Sequence, residues 1–456
     1  MPQRSSEHRH NSPQRKAGRH EQRGRRRADH PGSPPLHPGS PPLHPGSPPL
    51  HPPWHSGGPA APQLWPQPVI VDGRTAWLLM DQPPRPPQAD PGRGHKQRPP
   101  SPSGNRDRRK PSWKICAHSE RSGSVERPRF IPVTSLEDVQ AIRCAEFHPF
   151  GKLYAIGSNS KTLRICSYPK LVDLRDDHVT CQSSVVLKRP RHHKGSIYCM
   201  AWSPVGDLIA TGSNDKTIKL MRFDADSCTM EEPAAELTMH DGTVRDVCFI
   251  EDMSNKSSLL VSGGAGDCKI YVTDCATGVP FQALSGHTGT VLSLSTWGGA
   301  MFVSGSQDRT VRVWDLRSRG CVNRLQPPSV HTASRGSPVA SLAVEPSGRL
   351  LVSGHEDSSC VLYDLRGDRV IQAFRPHDGD VRSVRFSPHA FYLLTAGYDN
   401  RLVLSDLQGD LTMPLPSVVV AQHQDKVITG RWHPYEFSFL STGADKTCTL
   451  WALPPV

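Results

Sequence analysis

The chain has 456 residues, 36% of them hydrophobic and 21% charged, with a formal net charge of +11. That length excludes one small compact core and leaves two or three domains, or a large repeat domain with a tail. The charge is uneven: residues 1–128 hold 21 Lys and Arg against 9 Asp and Glu, and residues 129–456 hold 33 against 34, so a chain-wide argument for nucleic-acid binding from basic charge fails.

Residues 1–127 read as a disordered, low-complexity tail rich in Pro, Arg and His. Of the 45 prolines, 27 precede residue 129, and the unit HPGSPPL runs three times from His30 to Leu50. Such composition buries too little apolar surface to offset the entropy of ordering, and it favours polyproline-II-like conformers. The apolar stretch Val69–Met80 is too isolated to form a core. Basic clusters at Arg25-Arg26-Arg27 and Arg106–Lys110 read as solvated tail, with import signals or attraction to acidic surfaces as the alternative; the proline motif around Pro83–Pro87 reads likewise, with a ligand for proline-motif-reading domains as its alternative. The first ten residues, MPQRSSEHRH, are polar and do not read as a secretory signal. No run of 18 apolar residues reads as a spanning helix. No two of the twelve cysteines are spaced C-x-x-C, and most lie in apolar strand-like runs, as expected of reduced, buried thiols. Together these point to an intracellular, soluble protein.

From Phe130 the texture changes to short Val, Ile, Leu and aromatic runs punctuated by Gly, Asp, Asn and Ser, an all-β signal. One phrase recurs seven times: GSNSKT at 157, GSNDKT at 212, GAGDCK at 264, GSQDRT at 305, GHEDSS at 354, AGYDNR at 396 and TGADKT at 442. Its fourth place is acidic in six copies, at Asp215, Asp267, Asp308, Asp357, Asp399 and Asp445, and Ser160 in the first. The steps are 55, 52, 41, 49, 42 and 46 residues. A period near 40–45 is that of a four-stranded propeller blade, with the longest insertion expected within Tyr168–His192. A histidine precedes each phrase, at His193, His240, His287, His377 and His423, four residues before a Val or Ile. Asp138 takes that place in the first copy, and His331 is expected to take it in the fifth. Turns such as FHPFG at 147, WSPVG at 202 and WHPYE at 432 join strands, since proline presets φ for a tight turn.

These phrases resemble the WD-repeat family over residues 130–456. The resemblance implies a seven-bladed β-propeller over residues 128–456 and, in each repeat, a hydrogen-bonded set of Trp, Ser or Thr, His and Asp. Complete sets are Trp314, Ser304, His287, Asp308 and Trp451, Ser441, His423, Asp445. A buried Asp or His is costly unless paired, and such a chain satisfies every member. A Ser–His–Asp set also invites a hydrolase reading. Catalysis needs one activated serine beside an oxyanion hole, whereas these sets recur at the period of the blades, so they read as structural. No third ligand joins His192-His193 at metal-site spacing; neither a cofactor nor an enzyme is expected.

The last copy ends on a third strand, so Arg129–Ser135 is expected to supply the fourth and close the ring, since an unpaired edge invites aggregation. In the family, partners are contacted by the residue before the turn Asp and by residues flanking the first-strand Val or Ile. Carried across, this implies a basic, aromatic-studded partner-binding face of Arg143, Tyr198, Arg245, Arg382, Tyr398 and Lys426, complementary to acidic peptide or protein surfaces.

Longer phrases, among them IPVTSLEDVQAIR, HHKGSIYCMAWSP, SGSQDRTVRVWDLR and EDSSCVLYD, resemble the propeller of a neuron-enriched, microtubule-associated branch of the family. That branch carries helical dimerisation modules before its propeller, and nothing in residues 1–124 resembles them. The resemblance implies a cytoplasmic, cytoskeleton-associated scaffold working with microtubule-associated proteins. The alternative is a substrate-recruiting adaptor of a ubiquitin ligase or another multiprotein complex. Neither membrane nor nucleic acid is expected as a partner.

Overall fold

The computed structural model describes residues 67–71, 74–78, 129–231, 235–251, 258–318, 320–328 and 336–454. Residues 129–454 form seven antiparallel sheets, the blades of a β-propeller. Blade 1 is built from Ile142–Phe147, Leu153–Ser158, Leu163–Ser167 and Val185–Arg189. Blades 2 to 6 open at Ile197–Trp202, Val244–Glu251, Val291–Thr296, Val339–Val344 and Val381–Phe386. Blade 7 comprises Val427–Trp432, Ser438–Gly443 and Thr447–Ala452, and its fourth strand is Ile131–Glu137.

That strand pairs Ile131 with Ala452, Leu136 with Cys448 and Glu137 with Thr447, so the chain's first and last propeller strands share one sheet. It runs two residues beyond Ser135. The long insertion of blade 1 folds back over it. Cys181–Gln182 adds a parallel strand at Thr134 and Ser135, the His178 ring lies 2.9 Å from the Val133 carbonyl, and Thr180 Oγ1 donates to the Pro132 carbonyl at 3.1 Å. The backbone edge of the closing strand is thereby covered.

Burial is deepest in the second strand of a blade and least in the outer strand. The second strands of blades 1, 2 and 7 are buried at all six positions, whereas the outer strand Val185–Arg189 is mostly exposed. A second strand is sandwiched between two neighbouring sheets, so both its faces are apolar or small. The cores accordingly lie between blades. Cys144, Leu153, Ala155 and Ile165 of blade 1 pack against Ile197, Met200, Trp202 and Ile209 of blade 2. Ile131, Leu136, Leu440 and Leu450 of blade 7 pack against Ile142, Phe147 and Ile156 of blade 1. Each large apolar side chain so buried stabilises by about 1.5–3 kcal/mol. Two histidines of the proline turns clasp neighbouring blades: His148 lies 3.1 Å from the Gly206 carbonyl, and His433 lies 3.0 Å from that of Gly151. Both glycines have positive φ, +86° and +73°, and a Cβ on either would meet the imidazole, so only glycine fits.

The seven phrases are turns with a common backbone. The residue after the fourth place is left-handed in every copy: Lys161, Lys216, Cys268, Arg309, Ser358, Asn400 and Lys446 have φ between 57° and 73°. The acidic Oδ1 holds this turn by accepting the N–H two residues on, as Asp215 does from Thr217 at 3.0 Å and Asp445 from Thr447 at 3.1 Å.

Two details add to the sequence reading. Residues Gln67–Val71 and Arg74–Leu78, placed in a tail without secondary structure, pair as an antiparallel hairpin. The reason lies in their β-branched residues, Val69, Ile70, Val71 and Thr75, on either side of Asp72-Gly73, a strong hairpin signal. The rest of the tail, with its basic clusters and proline repeats, lies outside the described residues, as does His331. In blade 5 it is His355, from the turn phrase itself, that lies 2.8 Å from the Ser353 hydroxyl, with its other ring nitrogen 3.3 Å from the Ser337 carbonyl.

Candidate functional site: the mouth of the propeller channel

The staples come first, because they show what the polar residues of the blades do when they serve the fold. In blade 4 the Trp314 indole N–H donates to Ser304 Oγ at 2.8 Å, Ser304 lies 2.6 Å from His287 Nε2, and His287 Nδ1 lies 2.8 Å from Asp308. Blade 7 repeats this with Trp451, Ser441, His423 and Asp445 at 2.7, 2.6 and 2.8 Å. Because each hydroxyl accepts from an indole, its proton is directed to the imidazole, whose other N–H serves the carboxylate. Against burial, which raises it, His423 and Thr447 hold the Asp445 carboxyl down to about 2. Both serines are fully buried, so no substrate reaches them.

The other blades keep parts of the set. His193 and His377 bridge Thr211 to Asp215 and Thr395 to Asp399. In blade 1 Asp138 stands in the histidine's place. Ser158 and Ser160 donate to it at 2.9 and 3.0 Å, and Arg164 forms an ion pair with it. In blade 3 His240 reaches Ser262 at 2.9 Å, but its Nδ1 is buried without a partner among the described residues, while Asp267 accepts from Tyr271 instead.

The channel is built differently. In every blade the residue after the first-strand Val or Ile is skipped by the pairing: the register shifts at Ile142/Cys144, Val244/Asp246, Val291/Ser293, Val339/Ser341, Val381/Ser383 and Val427/Thr429, and in blade 2 around Tyr198. A β-bulge re-aims the extra side chain. Here it turns Arg143, Tyr198, Arg245, Leu292, Ala340, Arg382 and Ile428 onto one solvent-open cavity.

The six proposed partner-binding residues fall into two clusters. The Arg143 and Arg245 guanidinium carbons stand 4.4 and 5.3 Å from the centre of the Tyr198 ring. Arg382 and the Lys426 ammonium stand 5.3 and 4.9 Å from that of Tyr398. Each tyrosine thus holds two cations through its ring face. Arg143 also donates to Asn159 at 2.6 Å, and Arg382 pairs with Glu356 at 3.6 Å. Burial, and next the repulsion of Arg382, push the Arg245 guanidinium below its ordinary range. Among the described residues no carboxylate pairs with Arg245. Of the acids near the mouth, Asp378 pairs with Arg401 and Asp241 accepts the Asp267 N–H.

Sequence reading missed the interior of the channel. Three residues beyond the mouth positions stand Arg385 and Arg431, with Asp246 beside them on the same cavity. Arg431 pairs with Glu146 at 2.6 Å. Arg385 donates to the Val384 and Leu342 carbonyls at 2.8 and 3.2 Å, and burial pushes it down to about 10. The available signal was the charge at the fourth residue after the first-strand Val or Ile, present in Glu146, Arg385 and Arg431.

Among the described residues there is no group of His, Cys, Asp or Glu able to hold a metal, and no helix is long and apolar enough to cross a membrane.

Comparison with known proteins agrees with this architecture. The model of the WD domain, G-beta repeat, matches residues 184–220, 231–274 and 278–315. That of the Anaphase-promoting complex subunit 4 WD40 domain matches residues 309–389. The chain is 30% identical to the guanine nucleotide-binding protein subunit beta of Solanum tuberosum over 295 residues, 61% of this chain and 74% of that protein. It is 27% identical over 223 residues to Protein tipD of Dictyostelium discoideum, 48% of this chain and 34% of tipD. Against Autophagy-related protein 16 of Arabidopsis thaliana it is 26% identical over 219 residues, 48% of this chain and 40% of that one. The chain therefore spans about a third of tipD's length and about three quarters of the G-protein subunit's. With seven blades, recurrent Asp turns, and a G-protein beta subunit matched over most of its length, the chain belongs to the WD-repeat family.

Proposed function

We propose that this protein is a non-enzymatic interaction scaffold whose channel mouth receives an acidic segment of a protein partner. WD-repeat propellers serve as protein-interaction scaffolds, and one observation carries the reading here. Two tyrosine-centred clusters hold four cations at the mouth, and Arg245 has no carboxylate opposite it among the described residues. Arg and Tyr held rigid at the centre of a face are strong anchors, and cations repelling one another gain when an anion arrives. The buried, fully engaged serines of the staples support the non-enzymatic part.

The finer reading is a cytoplasmic scaffold working with microtubule-associated proteins in cytoskeletal organisation. Its support is the resemblance of residues 125–456 to the C-terminal propeller of nemitin. A second reading, a substrate-recruiting adaptor within a multiprotein complex such as a ubiquitin ligase, is favoured by the match of residues 309–389 to a domain of an anaphase-promoting complex subunit. Affinity purification with and without residues 1–128, combined with microtubule co-sedimentation, separates them. The scaffold reading expects microtubule-associated proteins in the eluate and protein in the microtubule pellet. Ligase subunits without sedimentation would replace it by the second reading.

A further inference from the structure

The channel below the mouth holds features that the capture of a protein segment does not use. Arg385 and Arg431 stand three residues beyond Arg382 and Ile428, so at about 3.3 Å per strand residue they lie about 10 Å further along the channel. Five arginines line this cavity, and Asp246 is the one acidic residue lining it. Asp246 accepts the Val247 and Leu294 N–H groups at 3.0 and 2.7 Å, and its charge offsets part of that of Arg385 and Arg431. Glu146 and Glu356 are each committed to one arginine.

The hydrogen-bond inventory points the same way. Arg385 spends Nη1 on two carbonyls, and among the described residues its Nε and Nη2 donate to nothing. Ser293 and Ser341 are buried on the channel wall. Each accepts a backbone N–H of the next blade, from Leu342 at 3.2 Å and from Val384 at 3.1 Å. A hydroxyl that accepts still carries a proton to give, and among the described residues neither proton has an acceptor. The cavity therefore presents two tiers of cations and unspent donors, and acceptors are few. Donors that face an open channel are available to a ligand rich in acceptor oxygens.

We propose that the central channel is a binding site for a small, multiply phosphorylated anion, held by Arg143, Arg245 and Arg382 at its mouth and by Arg385 and Arg431 below. A phosphate group suits this wall because it offers several acceptor oxygens, and guanidinium forks match its geometry. Several phosphates are required because the tiers are separated along the axis. A carboxylate side chain of a peptide lying across the mouth is too short to span the roughly 10 Å between the tiers. The inference goes beyond partner capture: it shares Arg143, Arg245 and Arg382 with the mouth and adds Arg385 and Arg431, which capture does not need.

The test is titration calorimetry on the full chain at physiological ionic strength. The probes are myo-inositol hexakisphosphate and inorganic tripolyphosphate, with sodium sulfate and a phosphoserine peptide as comparisons. The expected result is saturable binding of one hexakisphosphate per chain, with sulfate and the peptide far weaker. Arg385→Met and Arg245→Met each lose a charge-assisted contact and should weaken binding roughly tenfold or more. The exposed Arg222→Met should leave it unchanged. If Arg385→Met fails to fold, Ser293→Ala with Arg245→Met serves in its place, and must weaken binding more than Arg245→Met alone. Absence of saturable binding by both polyphosphates overturns the proposal. So does equal binding by Arg385→Met and the parent chain, or preference for the phosphopeptide. Partner capture by Arg385→Met should persist, which separates this inference from the scaffold reading.

Discussion

In the staples of blades 4 and 7, every polar group from indole to carboxylate has its partner inside the blade. At the channel, half-buried Arg and Tyr side chains are held in place beside buried serines, yet several donors have no partner among the described residues. The difference separates two uses of buried polarity. A closed hydrogen-bonded set stabilises a turn and leaves nothing for a ligand. An open set held rigid by cation–aromatic contacts keeps donors free, and on that the binding proposal rests. Ser–His–Asp sets that look catalytic in sequence fall on the closed side, and the less conspicuous Arg245, Arg382 and Arg385 fall on the open one.

The largest effect expected on the closed side comes from the ring itself. Removing residues 129–137 deletes the fourth strand of blade 7 and its buried Phe130, Val133 and Leu136. At about 1.5–3 kcal/mol for each such side chain, the propeller should lose well over ~5 kcal/mol. A melting temperature equal to that of the intact chain would contradict closure by this strand.

Next are the staples. His423→Ala leaves Asp445 and Ser441 without their shared partner and should cost about 3–5 kcal/mol in denaturant unfolding. His240→Ala in blade 3, where one bond to Ser262 is lost, should cost about 1–2 kcal/mol less. Equal losses would mean that the complete staple adds nothing over its fragments.

The blades should also differ in acid. Burial holds His240 down to about 4 and His192 to about 3. Their folded values lie below the unfolded value near 6.5, so the stability they contribute is present above about pH 6.5 and falls towards pH 4. Asp445, held to about 2, adds a contribution present above about pH 4 and lost as pH falls through 2. The slope should approach about 1.4 kcal/mol per pH unit for each group titrating. His240→Gln should flatten the upper window and leave the lower one; a profile unchanged in both would contradict the assignment.

The smallest effect concerns the turns. Lys446 is left-handed at φ 70°. Lys446→Gly relieves that strain against a gain in unfolded-state entropy, a net stabilisation of about 0.5 kcal/mol, readable by denaturant titration.

Much of this was legible in the sequence for physical reasons. The turn needs a carboxylate or hydroxyl at its fourth place and tolerates the left-handed residue after it, so seven blades can be counted where the Trp-Asp pair survives once, at Trp314-Asp315. The mouth residues could be named because a bulge fixes their place relative to the first-strand Val or Ile. What could not be read was how they combine. Tyr198 gathers arginines from blades 1 and 3, and Glu146 meets Arg431 across 285 residues of sequence; ring closure alone brings these together. Nor could His355 be assigned, since spacing pointed to His331.

The central claim is that the open set at the mouth, and not the closed staples, carries binding. Its most direct test is Arg143→Glu, Arg245→Glu and Arg382→Glu in one chain, assayed by affinity capture of partners beside a staple variant, Trp314→Phe. The account predicts that the triple variant keeps its fold and loses its acidic partners, while Trp314→Phe loses about 1–2 kcal/mol of stability and keeps them. Undiminished capture by the folded triple variant would contradict it.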